Sequence, residues 1–326
     1  MAASKSDLDI DPYHSIVSSE LERLIRQAVA FAAKSKSENT LSIYHRDWTA
    51  FAKWCEQFEI AALPATPAGV AAYVVSLAES GYRAATIERK LVSISQAHKL
   101  RGVAPPTAHP QVRTVLKGIR RKIGTAQTRK TALSVKQLKA IICQLPDSVQ
   151  GTRDRAILLL GFLGGFRRSE LVGLNVNDID FVPEGLVVVI RTSKTDQESH
   201  GRIVGIPRSE DKRFDPVDAL SEWLDRSGIV KDAVFRPVNR YDQVHGKRLV
   251  ARAIARIVKR SVNSIGLDES EFAGHSLRSG LATSAAHAGV SERVISNTTG
   301  HKSREVLSRY IRSGALFDEN PAKGLL

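Results

Sequence analysis

Apolar side chains recur at a spacing of three and four between positions 19 and 123, and each recurrence predicts a helix. Residues 1–18 are polar and read as a disordered N-terminus; behind them Leu21, Leu24, Ile25 and Ala28 mark one face of a helix from Ser19 to Ala33. A second helix, capped by Ser37 or Asn39, runs to about Phe58 and carries Trp48, Phe51 and Trp54. A third opens after Thr66-Pro67, where proline suits a first turn, and ends before Gly81. In the fourth, about Ala84 to Arg101 with a stop at Gly102, the inward positions are Ile87, Leu91 and Ile94. That leaves Thr86, Arg89, Lys90, Ser93 and Gln96 for the other side. A fifth helix spans Pro110 to Ile123 and is strongly basic at its end.

Residues 124–131, with Ala126 as their single apolar member, read as a linker, and the pattern changes beyond them. Ser134 to Leu145 and Arg153 to Leu163 are helical in period, and Gly164-Gly165 interrupts the second just before two arginines. Leu186 to Ile190 and Ile203 to Ile206 are β-branched runs joined by polar residues 192–201, which predicts a hairpin. Helices resume from Pro216 to the end, with caps expected at Ser291 and Ser303 and glycine stops at Gly289 and Gly300. The expected fold is mainly α with a small β-sheet in the second of two domains, 19–123 and 132–326.

Composition adds the compartment and the class of partner. A chain of 326 residues with 42% hydrophobic and 25% charged content is ordinary for a two-domain soluble protein. Cys55 and Cys143 lack metal-ligand or disulfide spacing, and no signal peptide or membrane-length run is present, so a cytoplasmic location is expected. Net charge is +14 and unevenly placed. Residues 83–130 hold Arg83, Arg89, Lys90, Lys99, Arg101, Arg113, Lys117, Arg120, Arg121, Lys122, Arg129 and Lys130 against Glu88 alone. A block of that density reads as a footprint for a phosphate backbone, although any one member could be a solvated helix charge.

Candidate chemistry lies in the second domain. A phosphodiester resists attack because its oxygens repel nucleophiles and its alkoxide leaves poorly, so catalysis calls for fixed cations, a nucleophile and a proton source. Arginine suits the cation role because its planar fork stays charged and binds oxygen pairs. Leu163, Arg167, Glu170, Leu171 and Leu174 fall on one helical stripe, which turns Arg167 inward and Arg168 elsewhere. An inward arginine needs a partner, and Glu170 can supply it; a plain buried ion pair explains these two residues equally well. His275 and Arg278, three apart at a helix start, can reach one phosphate, although a histidine there also serves as a cap. His301 follows Gly300 in a turn; Tyr310, with Val306 and Leu307 behind it, also fits a half-buried core position, and Lys194 also fits a solvated turn.

Their order decides between these readings. Gly165-Phe-Arg-Arg-Ser-Glu-Leu171, a hairpin lysine, Gly274-His-Ser-Leu-Arg-Ser-Gly280, Thr299-Gly-His-Lys-Ser303 and Ser308-Arg-Tyr-Ile-Arg312 together resemble the tyrosine recombinase/integrase family (the phage integrase superfamily). In layout the whole chain is most similar to its Cre-like and Xer-like members. The resemblance implies an N-terminal helical, SAM-like core-site-binding domain at 19–123 and a tyrosine recombinase catalytic domain at 132–326, forming a two-domain DNA clamp. It implies Tyr310 as nucleophile, Arg167 and Arg278 as phosphate clamps, His301 as a third donor and Lys194 as general acid. His275 would assist proton transfer and Glu170 would orient Arg167. Double-stranded DNA is the implied partner, read as a homotetramer on two synapsed sites, a dimer per site, with no metal or other cofactor. The fourth helix would address the major groove, and the tail from Leu316 to Leu326 could dock on a neighbouring subunit. A type IB topoisomerase, or a DNA-binding protein with a vestigial site, is the alternative.

Overall fold

The computed structural model describes residues 20–27, 36–126, 130–191 and 201–300. Expectations for the N-terminus to residue 18, for 316–326 and for the Ser303 cap lie outside the described residues. The chain divides into two compact units, Met1–Gln127 and Thr128–Leu326.

In the first unit, residues 20–27 are helical, and four helices follow: α1 (Glu38–Gln57), α2 (Pro67–Glu79), α3 (Ala84–Leu100) and α4 (Pro110–Ile123). Side-chain caps start three of them. Ser37 accepts from the Thr40 N–H, Thr66 from Gly69 and His109 from Gln111, with proline in the first turn of α2 and α4. Phe51, Val70, Val74, Ile87, Ile94 and Val112 form the buried centre. Around it Tyr73 meets the rings of Phe51 and Trp54 at centroid distances of 5.0 and 5.2 Å.

One face assignment is corrected here. Lys90 and Ser93 are buried, at 7% and 2% exposure, not on the outer side of α3. Lys90 lies three residues after Ile87 and beside Leu91, so spacing alone puts it on the inward stripe. Its ammonium is 3.5 Å from the buried Asp47 carboxylate and over the Tyr82 ring at 5.4 Å, which satisfies the charge.

The second unit holds α5 (Val135–Gln144), α6 (Val149–Leu163), α7 (Arg168–Gly173), strands β1 (Ile179–Val182), β2 (Gly185–Ile190) and β3 (Arg202–Pro207), then α8 (Pro216–Ser227), α9 (Ala251–Ser264), α10 (Ser276–His287) and α11 (Glu292–Thr299). The strands form one antiparallel sheet in the order β1-β2-β3, with Leu186 opposite Ile206, Val188 opposite Val204 and Ile190 opposite Arg202. Leu186, Val188, Ile190, Val204 and Ile206 join the core with Leu158, Phe162, Phe166, Trp223, Phe235, Ile254 and Leu277. The described residues are thus mainly helical, with one small sheet.

Three expectations for this unit need correction. The second helix starts at Val149, not Arg153, because Ser148 and the distant Asp242 cap it; Asp242 oxygens accept from the Val149 and Gln150 N–H groups at 2.7 and 2.9 Å. The sheet has a third strand, β1, turned tightly into β2 across Pro183 and Glu184, where the pattern predicts only the hairpin that follows. Residues 228–250 are not helical; they run as loop, with isolated bridges Asn175–Ala233 and Val238–Val244.

Candidate active site

The centre of the second unit is a turn. α6 ends at Leu163, and Gly165 takes φ +57°, a conformation that favours glycine; a Cβ there would also strike Leu281 and Thr299. Phe166, 2% exposed, packs back over Gly164 and so anchors the start of α7. Arg167 is therefore the residue before that helix, not a member of one continuous helical stripe. The stripe argument fails at the two glycines, yet Arg167 is half-buried while Arg168 is exposed.

Arg167 is held on three sides. Its Nη1 donates to Glu170 Oε1 at 2.5 Å, its backbone N–H to Oε2 at 2.9 Å, and its Nη2 to the Gly300 carbonyl at 2.9 Å. The Glu170 side chain is fully buried. Burial would push its carboxyl up, but Arg202 first, then the backbone and side chain of Arg167, outweigh it and hold the pKa below the ordinary carboxylate value. Both readings of the pair from the sequence are thus visible at once: a buried ion pair, and an arginine fixed at the bottom of a polar turn.

His275 precedes α10 and Arg278 sits in its first turn. Arg278 is 1% exposed, and its Nη1 donates to the Gly165 carbonyl at 2.8 Å, the turn that sets Arg167. The imidazole of His275 is held below its ordinary pKa by loss of hydration among its neighbours, then by the charges of Arg278, Arg167 and Arg168. Neutral at pH 7, it can accept a proton. The stem of Arg168 lies over Gly274.

Sequence reasoning missed Arg202, on β3. Its Nη1 and Nη2 meet the two Glu170 oxygens at 3.3 and 3.0 Å, and a Cβ on Gly300 would strike its guanidinium. Its signal was readable: Arg202, Val204 and Ile206 alternate on the inward face of a strand, and an inward arginine needs a carboxylate.

So Arg167, Glu170, His275 and Arg278 come together around the turns at Gly165 and Gly300. Lys194, His301 and Tyr310 lie outside the described residues. Of the basic residues expected to meet DNA, Arg83, Lys99, Arg101, Arg113, Lys117, Arg120, Arg121 and Lys122 are exposed, with Arg120 paired to Glu88 at 3.3 Å. Arg89 bonds the Asp47 carboxylate, and Lys90 is buried beside it. Among the described residues no group of three His, Cys, Asp or Glu could hold a metal ion, and no helix is long and apolar enough to cross a membrane.

Comparison with known proteins assigns this arrangement to a family. Residues 131–315 match the phage integrase family, and residues 30–100 match its N-terminal SAM-like domain. The integrase/recombinase xerD homolog of Selenomonas ruminantium is 38% identical over 304 residues, 92% of this chain and 89% of that protein. The tyrosine recombinase XerC of Syntrophus aciditrophicus is 30% identical over 245 residues, 74% of each. In fold, the chain is similar to a lambda integrase dimer bound to a COC′ core site, with a TM-score of 0.59, 19% identity and coverage of 88% of this chain and 93% of that one. It is likewise similar to the XerH site-specific recombinase bound to palindromic difH substrate, with a TM-score of 0.55, 18% identity and coverage of 78% and 69%. A match across both units, and a relative this similar over nearly the whole chain, place the protein in the phage integrase family as a tyrosine-type site-specific recombinase.

Proposed function

We propose that the protein exchanges DNA strands between two sites by covalent catalysis on Tyr310, in two rounds separated by a Holliday junction. Arg167 and Arg278 clamp the non-bridging oxygens of the scissile phosphate, and His301 adds a third hydrogen bond. The Tyr310 oxygen attacks phosphorus as its proton passes to neutral His275, while Lys194 protonates the departing 5′-oxygen. The product is a 3′-phosphotyrosine and a free 5′-hydroxyl. Because the bond energy stays in that ester, a 5′-hydroxyl from the partner strand can reseal the break without metal or nucleotide.

The observation that carries this reading is the convergence of two arginines on one turn: Arg278 donates to the Gly165 carbonyl, and Arg167 stands two residues beyond with its Nη2 on the Gly300 carbonyl. Residues 19–123 serve as the core-site DNA-binding domain, residues 124–131 as linker and residues 132–326 as catalytic domain. A homotetramer, one dimer on each duplex, brings two sites together. Exposed Arg113, Lys117, Arg121 and Lys122 supply contacts to phosphates.

The test is capture of a covalent adduct from a library of nicked duplexes, followed by sequencing of the trapped DNA. Unaltered protein should form the adduct in chelator; Tyr310→Phe should bind the same DNA and form none. Adduct from the Phe variant would overturn the nucleophile, and activity that disappears in chelator would overturn the metal-free mechanism.

A further inference from the structure

Arg202 stands outside every role assigned so far, yet it is the residue that completes the Glu170 site. A buried carboxylate has about four acceptor positions and is costly to leave unfilled. On Glu170 they are taken by the Arg167 backbone N–H, Arg167 Nη1, Arg202 Nη1 and Arg202 Nη2. Both arginine side chains are 16% exposed, and that of Glu170 is 0% exposed. An arginine fork fits a carboxylate as well as it fits a phosphate, so Glu170 is a competitor for the group that Arg167 must offer to DNA. Arg202 limits that competition by occupying one position on each oxygen. Arg167 then touches Glu170 through one guanidinium nitrogen, and its other terminal nitrogen reaches the Gly300 carbonyl.

Resting on the recombinase reading above, we propose that Arg202 is a positioning residue for the phosphate clamp: by filling Glu170 it limits Arg167 to a single guanidinium bond with the carboxylate and leaves the rest of the fork available to the scissile phosphate. Without Arg202, an open acceptor on Glu170 draws the Arg167 fork edge-on and away from Gly300, the residue before His301. Two further contacts fit this role. The Arg202 guanidinium packs against the Cα of Gly300, where φ is +64°. Arg202 also opens β3, directly after the segment that carries Lys194, so one carboxylate ties that segment's end to Arg167.

The experiment uses the full chain and the duplex recovered by adduct capture, nicked to trap the product. Single-turnover adduct formation is measured at saturating DNA beside DNA affinity and melting temperature. Arg202→Ala should slow the rate about 10- to 100-fold, the range known for partners that orient a metal ligand from outside its first contacts, with affinity unchanged. Arg202→Lys, which restores one bond and the charge, should recover part of that loss; it also serves if the Ala variant does not fold. Because Arg202 acts through Arg167, adding Arg202→Lys to Arg167→Lys should slow the reaction no further than the worse single change. Losses that multiply would overturn the proposal, as would a lower melting temperature or affinity with an unaltered rate. No adduct from the unaltered chain would instead remove the recombinase reading and this inference with it.

Discussion

His275 shows how a single side chain is tuned by the residues that make the clamp. Loss of hydration, then Arg278, Arg167 and Arg168, all disfavour its charged form, so its pKa lies below the ordinary value. In the proposed reaction the neutral ring accepts the tyrosine proton, and protonation switches it off. Cleavage should therefore rise with pH along a limb whose midpoint lies below about 6.5 and then level off. Single-turnover adduct formation between acid and neutral pH measures this; a midpoint above that value would deny His275 the role of acceptor. Arg168→Ala removes one of the depressing charges, so it should move the limb upward and keep the plateau, whereas Arg167→Ala should abolish the plateau. The two neighbours have the same chemistry and different positions: Arg167 is bonded to Glu170 and Gly300, and Arg168 is exposed. Their difference was legible in the need of an inward arginine for a carboxylate, although the helix assumed for it breaks at Gly164-Gly165. Arg202 satisfies the same rule, but its partner is 32 residues away, and no local spacing brings them together.

At the scale of elements, local signals were read well and remote ones were not. Ser37, Thr66-Pro67 and Pro110 each start a helix with atoms from the same turn, so the sequence around them contains the whole cap. The start of α6 does not have that property. Two of its free N–H groups go to Asp242, 93 and 92 residues downstream, and the first turn was invisible without it. β1 was hidden for a related reason, since Pro183 beside a tight turn looks like an end of structure until β2 is paired with it. Asp242 takes φ +62°, a conformation that asparagine tolerates nearly as well, so charge and geometry can be separated. Asp242→Ala should lower stability by about 1–2 kcal/mol through loss of the cap, read by chemical denaturation, and should open the first turn of α6 to hydrogen exchange. Asp242→Asn should cost less. A variant with unaltered stability and exchange would show that Ser148 alone caps the helix.

Across the whole molecule, the described cations of the basic block at 83–130 fall into exposed and acid-bound populations that composition could not separate. On α4, Val112, Val115, Leu116 and Ile119 pack toward the core, while Arg113, Lys117 and Arg121 lie exposed on the other side. On α3, Arg89 and Lys90 are instead bound to Asp47, an acid placed on α1 more than forty residues earlier. Only the exposed population, which also includes Arg83, Lys99, Arg101 and Lys122, is already available to release counterions from DNA. Arg121→Ala and Lys117→Ala should each reduce the slope of log affinity against log salt by about 0.9 and leave the melting temperature unchanged. Lys90→Ala should do the reverse. It strips one cation from a buried carboxylate, at a cost of about 1–3 kcal/mol in stability, and it removes no exposed charge. Titrations of duplex binding at several salt concentrations, run beside thermal melts, distinguish the two. If Lys90→Ala lowered the slope as much as Arg121→Ala, the lysine would have left Asp47 for a phosphate on binding, and the block would act as one surface.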